Sequence, residues 1–279
     1  GAAAEHLDQP LDLLLATAEN LMAEARLVAA DALYREILER QPDDLRGLLG
    51  LASARERIGD MEESVRLLDR LDELAPNNPA VICNLIFSHD RRVESTLEDA
   101  YRLRRRFNEL LKKPIRPHTN NRAVNRKLKV GYVSGDFRHH SAVTVFGAMV
   151  LKHDTSQFDI YCYSSAASGD SITDRLREGV TAWRDVSIWD DDRLEQQIRA
   201  DEIDILVDLS GHSNGNRMPL FARKPAPVQV TAWGYITGTG LDAMDYIFAD
   251  ADTIRPDEEQ WYAEEVVRLP RIVSYWPAD

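Results

Sequence analysis

Chemistry-bearing residues gather in three short stretches, each directly after an apolar run. The first is Gly131-Tyr-Val-Ser-Gly-Asp-Phe-Arg-His-His-Ser141, where a glycine turn, the carboxylate of Asp136 and two histidines, His139 and His140, precede a serine able to start a helix. A helix start offers unpaired backbone N–H groups and partial positive charge, which suit a phosphate or a sugar hydroxyl. Histidine titrates near neutral pH and can exchange a proton with a substrate or hold it by a hydrogen bond. Asp136, His140 and Ser141 are therefore candidate site residues. Taken alone, two adjacent histidines in a turn are more often surface or packing residues. They rarely share one metal ion, and no third ligand stands at a suitable spacing, so no metal site is expected. The second stretch, Ser210-Gly-His-Ser213, adds two hydroxyls, Gly211 and His212. The third, Gly234-Tyr-Ile-Thr-Gly-Thr-Gly240, offers Gly238 and Thr239. His212 reads equally as a solvent-facing loop residue and as a ligand contact.

The elements that must position these loops follow from periodicity. Lys127–Ser134, Asp159–Ser164, Ile203–Leu209, Val228–Trp233 and Tyr246–Asp250 are short apolar runs that read as buried strands. Ser141–Leu151, Ile172–Gly179 and Asp192–Ala200 read as helices between them. Strands alternating with helices of this length imply a parallel sheet covered on both faces. In such sheets ligands gather at the carboxyl ends of the strands, so the loops of interest are 134–141, 209–218 and 233–241.

The front of the chain has a different period. Pro42 and Pro76 lie 34 residues apart, the tetratricopeptide spacing, and the same offset pairs Leu14 with Leu48, Ala18 with Ala52, Ala30 with Ser64, Tyr34 with Leu68 and Ile37 with Leu71. Gly59-Asp60 falls where the turn inside a repeat belongs. Each second helix stops near a proline, which has no N–H and disfavours helix at the residue before it. A third unit starts at Pro79 and loses the pattern, while residues 95–111 read as a helix that caps the array. Residues 112–127 hold two prolines, several asparagines and no periodicity. The expected organisation is therefore helical repeats and cap over 1–111, a linker over 112–127 and a Rossmann-like lobe over 128–279.

Composition excludes several classes. A net charge of −13 argues against nucleic acid as the main ligand. The basic run Arg102, Arg104, Arg105, Arg106, Lys112, Lys113 and Arg116, with Arg122, Arg126, Lys127 and Lys129 after it, reads as a solvated helix face and linker. No apolar run is long enough to span a membrane. Gly1-Ala-Ala-Ala lacks the features of a signal peptide and looks like a cloning remnant. Cys83 and Cys162 make no disulfide framework or CxxC pair, which fits reduced thiols and a cytoplasmic protein.

Several strings together resemble the protein O-linked N-acetylglucosamine transferase family and its bacterial relatives. They are Val130-Gly-Tyr-Val-Ser-Gly-Asp-Phe-Arg-His-His140, Ile203-Asp-Ile-Leu-Val-Asp-Leu-Ser-Gly211, Arg223-Lys-Pro-Ala-Pro-Val-Gln-Val230 and Met244-Asp-Tyr-Ile-Phe-Ala-Asp250, with a tail from Pro256 to Pro270. Cys83-Asn-Leu-Ile-Phe87 is similar to the family's last repeat. The resemblance implies the first lobe of a two-lobed GT-B enzyme that inverts configuration, uses no metal or cofactor, and moves N-acetylglucosamine from UDP-N-acetylglucosamine to serine or threonine of a protein or peptide. Plant relatives can instead use GDP-fucose. His140 matches the family histidine beside the reacting groups, a general base or a positioning residue. Ser213 matches a donor-facing hydroxyl, with His212 beside it.

Departures are also visible. Thr144 stands where many members have a second histidine, Ser210 replaces an asparagine, and Ile236-Thr237 replaces a Pro-Gly pair in the loop expected to abut the donor. The chain ends at Trp276-Pro-Ala-Asp279, where the family's second lobe, with the lysine that neutralises the donor diphosphate, is expected to begin. On this reading the chain alone is inactive, and its partners are that second lobe and an acceptor peptide held by the repeats. Two other readings are a non-catalytic repeat adaptor with an inert lobe, and an unrelated sugar- or nucleotide-binding domain.

Overall fold

The computed structural model describes residues 10–272, so the readings of Gly1–Ala4 and of the end at Trp276–Asp279 lie outside the described residues. The chain divides into two compact units, Gly1–Ser95 and Thr96–Asp279. Among the described residues no helix is long and apolar enough to cross a membrane.

The first unit contains α1 (Leu11–Ala23), α2 (Leu27–Arg40), α3 (Leu45–Ile58), α4 (Met61–Leu74) and α5 (Pro79–His89). The ten residues paired by the 34-residue offset are all buried. Asp44, Asp60 and Asn78 cap α3, α4 and α5 by accepting from Gly47, Glu63 and Ala80 N–H. Asp31 and Glu63 both ion-pair with Arg35 and Arg55, tying α2, α3 and α4 together.

The turn inside each repeat uses one geometry with two residue types. Gly59 has φ +101°, and Asp60 N–H returns to the Arg55 carbonyl. Thirty-four residues earlier, Ala25 has φ +57°, and Arg26 N–H returns to the Leu21 carbonyl. Only glycine adopts that conformation without a Cβ clash, so the exposed Ala25 holds it at a cost. Ala25→Gly is expected to stabilise the first repeat by about 0.5–1 kcal/mol, the left-handed penalty less glycine's extra chain entropy. A urea midpoint that does not rise would disprove this.

The second unit opens with α6 (Leu97–Leu111), followed by β1 (Leu128–Ser134), α7 (Ser141–Leu151), β2 (Phe158–Ser164), α8 (Ser171–Gly179), β3 (Ala182–Asp185) and α9 (Asp191–Ala200). Then come β4 (Ile205–Asp208), α10 (Met218–Phe221), β5 (Val228–Thr231), β6 (Tyr246–Ala249), a 3₁₀ turn (Pro256–Trp261) and β7 (Glu265–Arg268). The strands form one sheet in the order β3-β2-β1-β4-β5-β6-β7, with every neighbouring pair parallel. The interior of β1 is buried on both faces, as a central parallel strand must be. Val130, Tyr132, Ile160, Cys162 and Val207 pack with Phe146 and Val150 of α7 and Leu176 of α8.

Three features differ from the sequence reading. Strands β3 and β7 and the short α10 were not anticipated. Helix α6 belongs with the sheet rather than with the repeats. Finally, residues 112–127, though mostly exposed, are tied to the lobe through side chains. Arg126 grips Asp204 through two bonds of 2.6 and 2.7 Å, Asn120 donates to the Glu202 and Ile203 carbonyls, and a His118 ring nitrogen meets the Lys224 carbonyl.

Candidate functional site

The chain leaves β1 toward β2 and β3, then crosses back to build β4 to β7 on the other side. The strand order reverses between β1 and β4, and the crevice above their carboxyl ends is where doubly wound sheets take ligands. Register places Val133 beside Asp208 and Asp208 beside Thr231, so the three candidate loops leave the sheet at one level.

In the first loop Phe137 is fully buried against Phe146 and Trp183, and the Thr173 hydroxyl donates to its carbonyl at 2.7 Å. That anchor turns Arg138, His139 and His140 outward. Asp170 of the α8 cap accepts from His139 N–H at 2.6 Å. His140 caps α7, its Nδ1 accepting from Ala142 N–H at 3.2 Å and lying 3.7 Å from Asp136 Oδ1. With Nδ1 accepting, a neutral ring carries its proton on Nε2. The side chain of His140 is 41% exposed, whereas that of Asp136 is 13% exposed. Ser141 begins α7 and is exposed.

The second loop is organised from beneath by Asp208. Its carboxylate accepts from Ser210 N–H (3.0 Å), Gly211 N–H (2.9 Å) and the Thr231 hydroxyl (2.8 Å). Gly135 N–H donates to the Ser210 hydroxyl at 3.4 Å, which joins the first and second loops. Ser213 turns its hydroxyl back to the Ser210 carbonyl at 2.7 Å. His212 is 3% exposed, donates from Nε2 to the Thr239 carbonyl at 2.9 Å, and packs edge-on against Phe107 and Tyr235. The solvent-facing reading of His212 does not fit this burial, and its Nε2 is turned inward to the loop from β5.

The third loop begins under strain. Trp233 has φ +58°, and a Cβ on Gly234 would lie 1.6 Å from the Leu209 carbonyl oxygen, so only glycine fits there. Gly238 and Thr239 are buried, and Glu264 Oε1 accepts from Thr239 N–H and the Thr239 hydroxyl, both at 2.5 Å. All the candidate residues thus sit along one edge of the sheet, His140 and Ser141 at its surface and His212 and Thr239 behind it. Among the described residues no group of three or more His, Cys, Asp or Glu is placed to hold a metal ion.

Asp208, Glu264, Arg104 and Phe107 are not among the candidate site residues of the sequence reading, which takes Arg104 only as part of a solvated basic face. An aspartate ending an apolar strand before Ser-Gly is a recognisable turn signal, so Asp208 was findable. Glu264 carries no local signal.

A parallel sheet with a switch point between β1 and β4, in a chain that begins with helical repeats, is a Rossmann-like lobe joined to a repeat array. A model described as glycosyl transferase family 41 matches residues 71–275, and one for the tetratricopeptide repeat matches residues 21–82. The chain belongs to glycosyl transferase family 41, the family to which the O-linked N-acetylglucosamine transferases belong. It is 38% identical over 164 residues to the "Probable UDP-N-acetylglucosamine--peptide N-acetylglucosaminyltransferase SPINDLY" of Solanum lycopersicum, covering 57% of this chain and 18% of that protein. It is 31% identical over 146 residues to the similarly named SEC protein of Arabidopsis thaliana, covering 52% of this chain and 15% of that one. A mutant O-GlcNAc transferase of Thermobaculum terrenum superposes with a TM-score of 0.67 at 29% identity, covering 94% of this chain and 58% of that chain. The lobe therefore has the fold of the N-terminal half of a GT-B enzyme, and the chain spans under a fifth of these plant relatives.

Burial and the nearby charge of Glu264 push the Asp208 carboxyl up to about 6. A raised carboxyl binds its proton more readily in the folded state, so its stabilising share is complete below the ordinary aspartate range and is lost as pH rises through about 6. Asp208→Asn should flatten the fall in melting temperature between about pH 5 and 7.5. An unchanged slope across that range would contradict the assignment.

Proposed function

We propose that the protein carrying this chain transfers N-acetylglucosamine from UDP-N-acetylglucosamine to a serine or threonine hydroxyl of a protein or peptide, with inversion and without a metal ion. Family membership and the activity named for the plant relatives support this reading. The observation that carries it is the convergence of loops 134–141, 209–217 and 233–241 at the carboxyl ends of β1, β4 and β5, with His140 at the head of α7.

Donor and acceptor contacts fall to Asp136, His140, Ser141 and Ser213, while the buried Ser210, Gly211, His212, Gly238 and Thr239 shape that surface from behind. A hydroxyl is a poor nucleophile until its proton has somewhere to go. With Nδ1 engaged by Ala142 N–H, His140 holds sugar or acceptor by donating from Nε2. To take the acceptor's proton at Nδ1, the ring must first release that bond. The departing nucleoside diphosphate needs a cation, which we assign to a second lobe. The tetratricopeptide helices offer a surface for extended peptide. Cys83 and Cys162 are buried and not disulfide-bonded, which supports a reducing, cytoplasmic setting.

In the full-length protein His140→Ala is expected to lower transfer to a serine peptide by roughly a hundredfold or more. Wild-type turnover in that variant would remove His140 from the site. The 279-residue chain alone is expected to show no saturable binding of UDP-N-acetylglucosamine by calorimetry. Binding at micromolar donor would overturn the assignment of the diphosphate contacts to a second lobe.

A further inference from the structure

The third loop is held in an unusual way. Residues 238–242 run between β5 and β6 without a strand ladder, yet side chains take up one backbone group after another. Arg104 Nε donates to the Gly238 carbonyl (3.1 Å) and Arg104 Nη2 to the Thr237 hydroxyl (2.9 Å). Glu264 Oε1 accepts from Thr239 and Gly240 N–H, and His212 donates to the Thr239 carbonyl. Arg105 donates to the Gly240 carbonyl (3.2 Å) and to Asp242 (2.7 Å), while Asn108 Oδ1 accepts from Asp242 N–H at 2.8 Å.

Most of these grips come from α6. Its backbone lies against the loop, because a Cβ on Gly240 would sit 2.4 Å from Arg104 Cβ and 3.2 Å from the Arg104 backbone. Arg104 is only 4% exposed, although it lies in a run of arginines that looks solvated. Phe107 packs on His212, so the same helix also braces the 210–213 loop. A guanidinium is costly to bury unless its fork is used, and here it is used on the loop's own carbonyl and hydroxyl.

We infer that α6 is the positioning element of the transfer site. Arg104 and Arg105 fix the shape of the 237–242 loop, and through it the surface offered to the nucleotide-sugar. These are positioning residues that act through the loop. The inference rests on the transferase reading above and on the family resemblance, by which the 234–240 loop is expected to abut the donor. Loss of a grip should therefore weaken donor binding more than acceptor binding, since reacting groups misplaced by about an ångström can cost up to roughly a hundredfold.

The test uses the full-length protein and compares wild type, R104M, R104K, R105Q and H140A. Donor and peptide KM are measured with UDP-N-acetylglucosamine, together with hydrogen exchange of residues 237–242. R104M and R105Q should raise donor KM roughly tenfold, leave peptide KM within about twofold and speed exchange in the loop. R104K should recover part of the loss. If R104M does not fold, R105Q decides, because the Arg105 side chain is 29% exposed and less embedded. An unchanged donor KM in R105Q, with transfer still lost in H140A, overturns the positioning role and leaves the transferase reading standing. Absence of transfer in the wild type removes the transferase reading and this inference with it.

Discussion

A loop that leaves the carboxyl end of a parallel strand has no ladder partner, and a buried backbone group without a partner costs as much as a lost hydrogen bond. At the centre of this lobe one side chain meets that requirement. The Asp208 carboxylate gathers Ser210 N–H, Gly211 N–H and the Thr231 hydroxyl, so the first turn after β4 closes over a charge and β5 is tied to the same point. Ser210, placed by that turn, reaches Gly135 in the loop from β1, and His212, one residue beyond Gly211, reaches the loop from β5. The three loops at the candidate site therefore share a single origin.

The sheet supplies the rest of the geometry. Parallel strands joined by helices must send their carboxyl ends to one side, and the reversal of order between β1 and β4 opens a crevice there. Phe137 sits in the core under the first loop, which obliges the polar residues after it to face away from the sheet. His140 then does two things with one ring, closing the start of α7 and presenting an exposed side chain at the site.

Much of this was legible in the chain itself. Helix α7 was read as Ser141–Leu151, and those are its limits, because serine after a polar turn and an unbroken apolar run leave few alternatives. The repeat offset paired residues that are all buried. What escaped the sequence shares a physical cause. Strands β3 and β7 are the two edges of the sheet, four residues each and only partly buried, so Ala-Trp-Arg-Asp and Glu-Val-Val-Arg carry almost no periodic signal. Helix α6 misled in the opposite direction. Its buried face is Arg104, Phe107 and Asn108 rather than its leucines, and a helix that docks through polar side chains looks solvated in a hydropathy pattern. At the site, the outward residues were recognisable by type, whereas Glu264 and Arg104, which hold the loop from behind, are distant in sequence from what they hold.

The way α6 is built into the lobe also fixes where this protein can be taken apart. Proline and asparagine over 112–127 mark the place where a designer would join a foreign repeat array, yet a cut there removes the helix that satisfies Gly238, Gly240 and Asp242. The seam lies at the threonine cap of α6, where Thr96 accepts from Asp99 N–H and the lobe's own contacts begin. A chimera joined just ahead of Thr96 keeps every one of those bonds.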